Sequence, residues 1–195
     1  MDRLPEIISH IFNAPFVCAY VLIIYYSFYP NKLTVKALLG IIIFLYIIPW
    51  GPVLGYSLLR KIPPSRLSNK ERIPFVIIGL ISYVLGTLYF CLGTYGRLYN
   101  FLVSLLLMYA ILSTFLIIGN IFSKPSVHVA GFVAPIILLS LYASWLFVAL
   151  LIIVPFIGWS RIKLKIHTPS QLMLGFLIGF LSAVISYEVT MYIIL

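Results

Sequence analysis

The longest charge-free segment of the chain spans residues 125–160 and reads PSVHVAGFVAPIILLSLYASWLFVALLIIVPFIGWS. A helix needs about 20 apolar residues to cross the hydrocarbon core of a bilayer. The segment is too long for one such helix, and its length fits two short spans. The small residues Ser140, Ala143 and Ser144 mark the predicted turn between them.

Five further charge-free apolar segments lie on either side, at residues 7–31, 37–59, 73–96, 98–123 and 166–187. Each has the length of a single membrane span. Apolar residues make up 63% of the 195-residue chain and charged residues only 9%, whereas a soluble domain carries about 25% charged residues. The outer surface must therefore face lipid. We predict an all-α fold, a polytopic membrane helical bundle of six to seven transmembrane helices that forms a single domain over residues 1–195.

Proline and threonine positions refine the helix boundaries. Pro74 and Pro169 suit the first turn of a helix, and Thr168 is a good N-cap for the helix that follows it. Pro49 and Pro52 fall within one span and predict a kink there. The predicted helices cover residues 11–29, 34–59, 74–93, 98–121, 127–142, 145–159 and 169–194.

Three connections between these helices are basic, at residues 60–72, 124–128 and 161–167. Two predicted helices separate the first connection from the second, and two more separate the second from the third. An even number of crossings returns the chain to the same side of the membrane. We therefore expect all three basic connections to meet at one membrane surface.

Two of the three histidines, His128 and His167, fall in these basic connections at predicted helix starts, whereas His10 is predicted to be an interfacial residue without a special role. Helix N-termini offer unpaired N–H groups and the positive end of a dipole, which suit an anion such as phosphate. A nearby arginine adds a planar fork that matches phosphate oxygens. Histidine can attack phosphorus or protonate a leaving oxygen. The pattern indicates a phosphate site at the membrane surface.

Two segments resemble motifs of the type 2 phosphatidic acid phosphatase superfamily. Residues 160–171, SRIKLKIHTPSQ, are similar to its third motif, Ser-Arg-x5-His-x3-Asp, with Gln171 where the family has Asp. Residues 125–128, PSVH, are similar to its second motif, Pro-Ser-Gly-His, with Val127 in the glycine place. The spacing within each motif agrees with the family throughout.

The stretch before the third predicted helix resembles a degenerate first motif, Lys-x6-Arg-Pro. Arg72 takes the place of its arginine, Ser65 stands where the family has lysine, and Ile73 is inserted before Pro74. Lys61 or Arg66 could supply the missing cation. The three motifs follow one another in the family's order.

The resemblance implies a membrane phosphatase that acts on a lipid phosphate without a metal or other cofactor. His167 would attack phosphorus and form a phosphohistidine, with Gln171 in the place of the residue that orients it. His128 would protonate the leaving oxygen and later activate water. The phosphoryl oxygens would be held by Arg72, Arg161, Ser126 and the N–H of Val127.

Three departures from the family pattern keep a second hypothesis open. Gln171 can accept a hydrogen bond from His167 but carries no charge to stabilise its cationic form. Val127 adds a branched side chain where phosphate must come close, and the first-motif lysine is missing. The alternative is a catalytically impaired relative that binds a phosphorylated lipid without hydrolysing it. An unrelated membrane protein, such as a small transporter, is the remaining possibility.

The predicted partners are a phosphorylated lipid and the bilayer itself, in a multi-pass protein of a bacterial inner membrane. Nucleic acid is not an expected partner because the basic residues sit in short turns between spans. The positive-inside rule places the motif face in the cytoplasm, whereas relatives of the family commonly work on the opposite side. The motif face would carry Arg3, Arg60, Lys61, Arg66, Lys70, Arg72, Lys124, Arg161, Lys163 and Lys165, and the other face Lys32, Lys36 and Arg97.

Overall fold

The computed structural model of the protein describes residues 4–29, 34–62, 67, 69–92 and 100–194. These residues are almost entirely helical, and no strand occurs among them. Besides α-helices, the chain contains a π-helical turn at Ile43–Ile47, a 3-10 segment at Trp145–Ile153 and a second π-helical turn at Thr190–Ile194. The α-helices are α1 (Leu4–Ile11), α2 (Ala14–Phe28), α3 (Val35–Ile42), α4 (Ile48–Arg60), α5 (Asn69–Leu92), α6 (Asn100–Phe122), α7 (Val127–Tyr142), α8 (Val154–Lys163) and α9 (Pro169–Val189).

Five helical segments in the described part of the chain are long and apolar enough to cross a membrane, and α1 with α2 would make a sixth if this bent pair counts as one span. The all-α polytopic class is therefore confirmed. With the bent pair included, the count of six meets the lower end of the predicted six to seven, and α7, with only 16 residues, is a shorter apolar helix. The prediction of a single domain over residues 1–195 stays a prediction.

The first predicted helix, residues 11–29, is wrong at its N-terminal end. The chain forms two helices there, α1 and α2, which meet at an angle of 53°. The break has a local cause, because the side chain of Asn13 accepts a hydrogen bond from the N–H of Ala14 and Pro15 lies in the first turn of α2. Both features favour a new helix start. The bend turns α1 across the end of the bundle, where it packs against α8.

The prolines also behave differently from the prediction in two places. Pro74 lies inside α5 and not in its first turn, because the helix begins five residues earlier, at Asn69. The second span, where a kink is predicted, contains a π-helical turn that ends at Ile47, two residues before Pro49, and Pro52 lies inside α4. The turn at residues 143–144 is confirmed: α7 ends at Tyr142, and the Ser144 side chain caps the segment that follows.

The centre of the bundle is formed by α6 and α7, most of whose residues are buried. Glycines let α9 approach α7 closely. A Cβ atom on Gly175 would lie 2.6 Å from the carbonyl oxygen of Ser126, and one on Gly179 would lie 2.7 Å from that of Ala130. Only a residue without a side chain allows this contact. The two helices therefore run parallel, with their N-termini side by side.

Candidate phosphate-binding active site

The site lies where the N-termini of α7 and α9 meet. The backbone N–H of Ser126, the N-cap of α7, donates a hydrogen bond to the backbone carbonyl of Gln171, in the first turn of α9, at 3.1 Å. Two helix N-termini, each with first-turn N–H groups that have no acceptor within the helix, thus point to the same end of the bundle. The second and third basic connections, which contain His128 and His167, share one membrane face.

His167 sits just before α9, at the end of a tight turn that leaves α8. The turn is closed by a backbone hydrogen bond from Ile166 to Arg161, at 3.1 Å, and Lys165 adopts a left-handed conformation with φ of 54°. Thr168 then caps α9 as predicted, and Gln171 completes a capping box by accepting from the backbone N–H of Thr168. The ring position of His167 is therefore set by a rigid turn on one side and a capped helix on the other.

Gln171 also determines which nitrogen of His167 carries the proton. Its Oε1 lies 3.2 Å from His167 Nδ1 and 3.1 Å from the backbone nitrogen of Thr168. Since the Thr168 N–H can only donate, this atom of Gln171 must be the acceptor oxygen. Nδ1 of a neutral His167 must then carry the hydrogen and donate it. The other nitrogen, Nε2, is left with its lone pair, as a nucleophile requires.

The surroundings of His167 favour its neutral form. Partial burial lowers the pKa of the imidazole below its ordinary value of 6.5, and the positive charges of Arg161 and Lys124 lower it further. In its protonated form the ring can donate both to Gln171 and to the backbone of Lys124, which acts in the opposite direction, and the net shift of the pKa is downward. Lys124 belongs to the second basic connection and Arg161 to the third. Their joint influence on one ring shows that these two connections converge.

Arg161 is buried, with 8% of its surface exposed. Its Nη1 donates a 2.6 Å hydrogen bond to the hydroxyl of Ser9, on α1. The same hydroxyl oxygen lies 3.4 Å from Nε2 of His128. One serine thus bridges the arginine of the third motif to the histidine of the second.

The sequence did not point to Ser9, because the residue belongs to no motif and lies far from both partners in the chain. A second contact fixes its helix: the Ser160 hydroxyl donates to the carbonyl of Pro5 at 2.7 Å, and both groups are buried. The sequence offers one indication that α1 is a separate helix. Asn13 and Pro15 start a new helix, which separates residues 4–11 from the span that follows. His10, the next residue along α1, is exposed as expected.

The remaining second-motif residues form the start of α7. Ser126 is buried, and its hydroxyl oxygen accepts from the N–H of Val129 at 3.5 Å, as an N-cap does. Val127 is the first residue of the helix, and its side chain is 44% exposed. The branched side chain therefore points away from the buried contact with α9, and its N–H lies among the first-turn groups of the helix.

The first motif is only partly within the described residues. Ser65, Arg66 and the side chain of Arg72 lie outside them, whereas the backbone of Arg72 belongs to the first turn of α5. Tyr83 on α5 stacks near Tyr109 on α6, with ring centroids 5.5 Å apart. A Cβ on Gly86 would lie 3.1 Å from Leu106, so the two helices run antiparallel.

The pairing of Tyr83 with Tyr109 and of Gly86 with Leu106 can be extended along the two antiparallel helices. It brings the first turn of α5 level with the last turn of α6, just before Lys124. The backbone of the predicted first-motif arginine is therefore at the same end of the bundle as the other two motifs. Lys61, the other candidate for the missing cation, is exposed at the end of α4.

An apolar groove of about 260 Å³ begins beside the site and runs between α7, α8 and α9. Ile162, which follows Arg161, and Pro169, which lies two residues after His167, line the end of the groove nearest the site. Several lining side chains are exposed at the outer surface of the bundle, so the groove opens on that surface. The lining includes Val129, Val154, Trp159, Ile162, Pro169 and Met173.

Comparison with known proteins gives one match. The family model described as the PAP2 superfamily matches residues 113–194, from the middle of α6 to the end of the second π-helical turn. This match is consistent with a member of the type 2 phosphatidic acid phosphatase superfamily, and it confirms the resemblance. It covers less than half of the chain and contains the second and third motifs, whereas the degenerate first motif lies outside it. No curated protein and no solved structure matches the chain.

The match supports phosphatase-type activity on lipid phosphates in general, in an integral membrane protein. Among the described residues, no three or more His, Cys, Asp or Glu side chains come together as potential metal ligands. That the reaction needs no metal stays a prediction. The groups at the site are imidazoles, cations and helix N-termini, which together suit the binding and transfer of a phosphoryl group.

Proposed function

We propose that the protein is a membrane-embedded phosphatase that removes phosphate from a lipid phosphate through a phosphohistidine on His167. The observation that carries this proposal is the state of His167: Nδ1 is held by Gln171 Oε1, and burial and two cations lower the pKa of the ring. A neutral imidazole with its lone pair on Nε2 is the form that attacks phosphorus. Arg161, whose charge acts on the same ring, would hold the oxygens of the phosphoryl group.

The proposed reaction has two steps. In the first, Nε2 of His167 forms a bond to phosphorus while the bond from phosphorus to the lipid oxygen breaks, and protonated His128 gives its proton to that oxygen. In the second, neutral His128 takes a proton from water, the water oxygen bonds to phosphorus, and the bond from nitrogen to phosphorus breaks. Inorganic phosphate leaves, and both histidines return to their starting forms.

The apolar groove supports a lipid as the substrate. One end of the groove is lined by chain neighbours of Arg161 and His167, and part of its lining is exposed at the outer surface of the bundle, where lipid would lie. A lipid could therefore place its phosphate in the site while an acyl or prenyl chain stays in an apolar environment. Phosphatidic acid, phosphatidylglycerol phosphate and a polyprenyl pyrophosphate all combine these two features, and they are the proposed substrates.

The alternative, a relative that binds a phosphorylated lipid without hydrolysing it, is favoured by one observation. Gln171 has no negative charge, and Arg161 and Lys124 both oppose a positive charge on His167. The phosphohistidine carries such a charge on its ring, so its formation is disfavoured here compared with a site that contains Asp.

Phosphate release from the three lipids by the purified protein in detergent micelles tests the proposal. We expect His167→Ala to lower the rate by about three orders of magnitude or more, because it removes the nucleophile. His10→Ala is the matched control, since it removes an exposed imidazole outside the site, and it should retain the wild-type rate. Equal release by His167→Ala and wild type contradicts the assigned nucleophile. The alternative is favoured if the wild type binds phosphatidic acid vesicles, loses this binding when Arg161 is replaced, and releases no phosphate.

A further inference from the structure

The contacts of Ser9 distinguish this site from one made by the second and third motifs alone. The residue lies on α1, outside residues 113–194, yet its hydroxyl accepts a 2.6 Å hydrogen bond from Arg161. Ser9 and Arg161 are both buried, with 9% and 8% of their surfaces exposed. A polar contact so poorly accessible to water is strong and geometrically defined.

The hydrogen-bond directions at Ser9 are determined by its neighbours. A guanidinium only donates, so the hydroxyl oxygen of Ser9 accepts from Arg161. The serine hydrogen remains to be donated to Nε2 of neutral His128, 3.4 Å away. If His128 is protonated, its N–H can donate to the second lone pair of the same oxygen. A hydroxyl at this position therefore supports both protonation states of the histidine.

We propose that Ser9 is a positioning residue of the phosphate site, which holds Arg161 and His128 in a fixed arrangement around the phosphoryl group. The inference rests on the proposed function. The guanidinium has five N–H donors in a rigid plane, and the contact with Ser9 engages one of them and restrains the orientation of that plane. The same oxygen lies 3.4 Å from Nε2 of His128, so one hydroxyl restrains both groups.

The helix that carries Ser9 is built to hold this position. The hydroxyl of Ser160 donates to the carbonyl of Pro5 at 2.7 Å, one turn before Ser9 on α1. Ser160 directly precedes Arg161, so α8 holds α1 through two adjacent residues. The bend after Ile11, where Asn13 starts a new helix, allows α1 to lie across the end of the bundle.

The test compares Ser9→Ala with wild type in kcat, in KM for short-chain phosphatidic acid, and in the inhibition constant for inorganic phosphate. We expect kcat to fall about 10-fold or more and the inhibition constant to rise several-fold, because Arg161 and His128 lose their shared anchor. Ser9→Thr keeps the hydroxyl and should restore most of kcat. Ser182→Ala, which removes a buried hydroxyl that bonds within α9, is the matched control and should leave all three constants unchanged.

Two outcomes would overturn the proposal. In one, kcat and the inhibition constant are the same in Ser9→Ala and wild type. In the other, the inhibition constant falls in Ser9→Ala, which would show that Ser9 competes with phosphate for Arg161. Should Ser9→Ala fail to fold, Ser9→Cys replaces it, since the thiol fills the same space but hydrogen-bonds weakly. A lower kcat in folded Ser9→Cys supports the proposal, and an unchanged kcat overturns it.

A wild-type protein that releases no phosphate would contradict the proposed function but not the inference about Ser9. Binding then replaces turnover, and the readout is the rise in melting temperature caused by inorganic phosphate. If this rise is lost in Ser9→Ala and kept in Ser9→Thr and Ser182→Ala, Ser9 positions an anion site without catalysis. An equal rise in Ser9→Ala and wild type overturns the role of Ser9.

Discussion

Replacing Gln171 with Glu adds one negative charge to the site without changing the shape of the side chain. The oxygen that accepts from His167 lies 3.2 Å from Nδ1, and Glu can place an oxygen at the same point. The carboxylate should be ionised, because Arg161 and Lys124 surround the same ring and the backbone N–H of Thr168 donates to it. The substitution therefore tests what the charge of the family's Asp would contribute to this site.

The size of the expected change in the pKa of His167 follows from the distance between its Nδ1 and the side-chain oxygen of residue 171. Two unit charges 3.2 Å apart attract by about 1.3 kcal/mol in bulk water and about 5 kcal/mol at an effective dielectric constant of about 20. His167 is half-buried, which favours a value toward the lower end. One pKa unit corresponds to about 1.4 kcal/mol, so the pKa of His167 should rise by about one to two units in Gln171→Glu.

The rise in the pKa of His167 should shift the pH–rate profile in a defined direction. Nucleophilic attack requires neutral His167, so activity is lost as the pH falls through its pKa. In the wild type this acid limb lies below pH 6.5, because the pKa is lowered, and in Gln171→Glu it moves to higher pH. Above the limb, kcat should rise about 10- to 100-fold, since the carboxylate stabilises the positive ring of the phosphohistidine. The gain is smaller than the roughly 10⁴-fold effect of Asp in serine proteases, because Gln171 already secures the tautomer.

The assay is phosphate release from a soluble short-chain lipid phosphate between about pH 4 and pH 9, so that the limb is bracketed by about two pH units on each side of the ordinary His pKa. Ser170→Glu is the matched control, because it adds the same charge one residue away on an exposed side chain. It should move the limb much less. An acid limb that stays in place or moves to lower pH in Gln171→Glu refutes the assigned contact between residue 171 and the ring. A limb that moves up without a gain in kcat refutes the claim that ring charge limits turnover.

Three further substitutions probe the support of the site. Lys124→Gln removes a cation that lowers the pKa of His167, so the acid limb should move to higher pH, and a downward shift would contradict the assigned effect. Gly175→Ala places a Cβ 2.6 Å from the backbone of α7 and should destabilise the fold by about 1–3 kcal/mol, measured by thermal unfolding in detergent. Its control, Gly55→Ala, has nothing within 4 Å of the new atom and should be neutral or stabilising by up to about 1 kcal/mol. Thr168→Ala removes the cap of α9 and should cost about 1 kcal/mol, and no loss would contradict the capping role.

The part of the fold that could be predicted from the sequence is the part decided by local chemistry. Thr168 and Pro169 start α9 because a hydroxyl cap and a proline suit the first turn wherever they occur. The bounds of α7 agree with the prediction because Ser140, Ala143 and Ser144 mark its end, and the structure adds that Ser126 caps its start. The convergence of the second and third connections followed from counting crossings, which depends on the number of spans and not on their packing.

The features that could not be predicted depend on contacts between distant residues. Ser9 meets His128 and Arg161 across 119 and 152 residues of sequence, and no periodicity encodes such a meeting. The start of α5 at Asn69 differs from the prediction, because a proline such as Pro74 suits a first turn but a helix can also begin more than a turn earlier and lose one hydrogen bond at the proline. The π-helical turn before Pro49 has no distinct pattern in the sequence from which it could be predicted.

The replacement of Asp by Gln separates two roles that one residue usually combines. Holding the Nδ1 hydrogen requires only an oxygen at about 3 Å, and Gln171 supplies it while also capping α9. Stabilising the positive ring of a phosphohistidine requires a negative charge, and the charges that act on His167 are those of two cations. The same cations favour an anion such as phosphate near the ring and keep His167 neutral at lower pH. A site of this kind should therefore bind phosphate well, operate in mildly acidic conditions and form its covalent intermediate slowly.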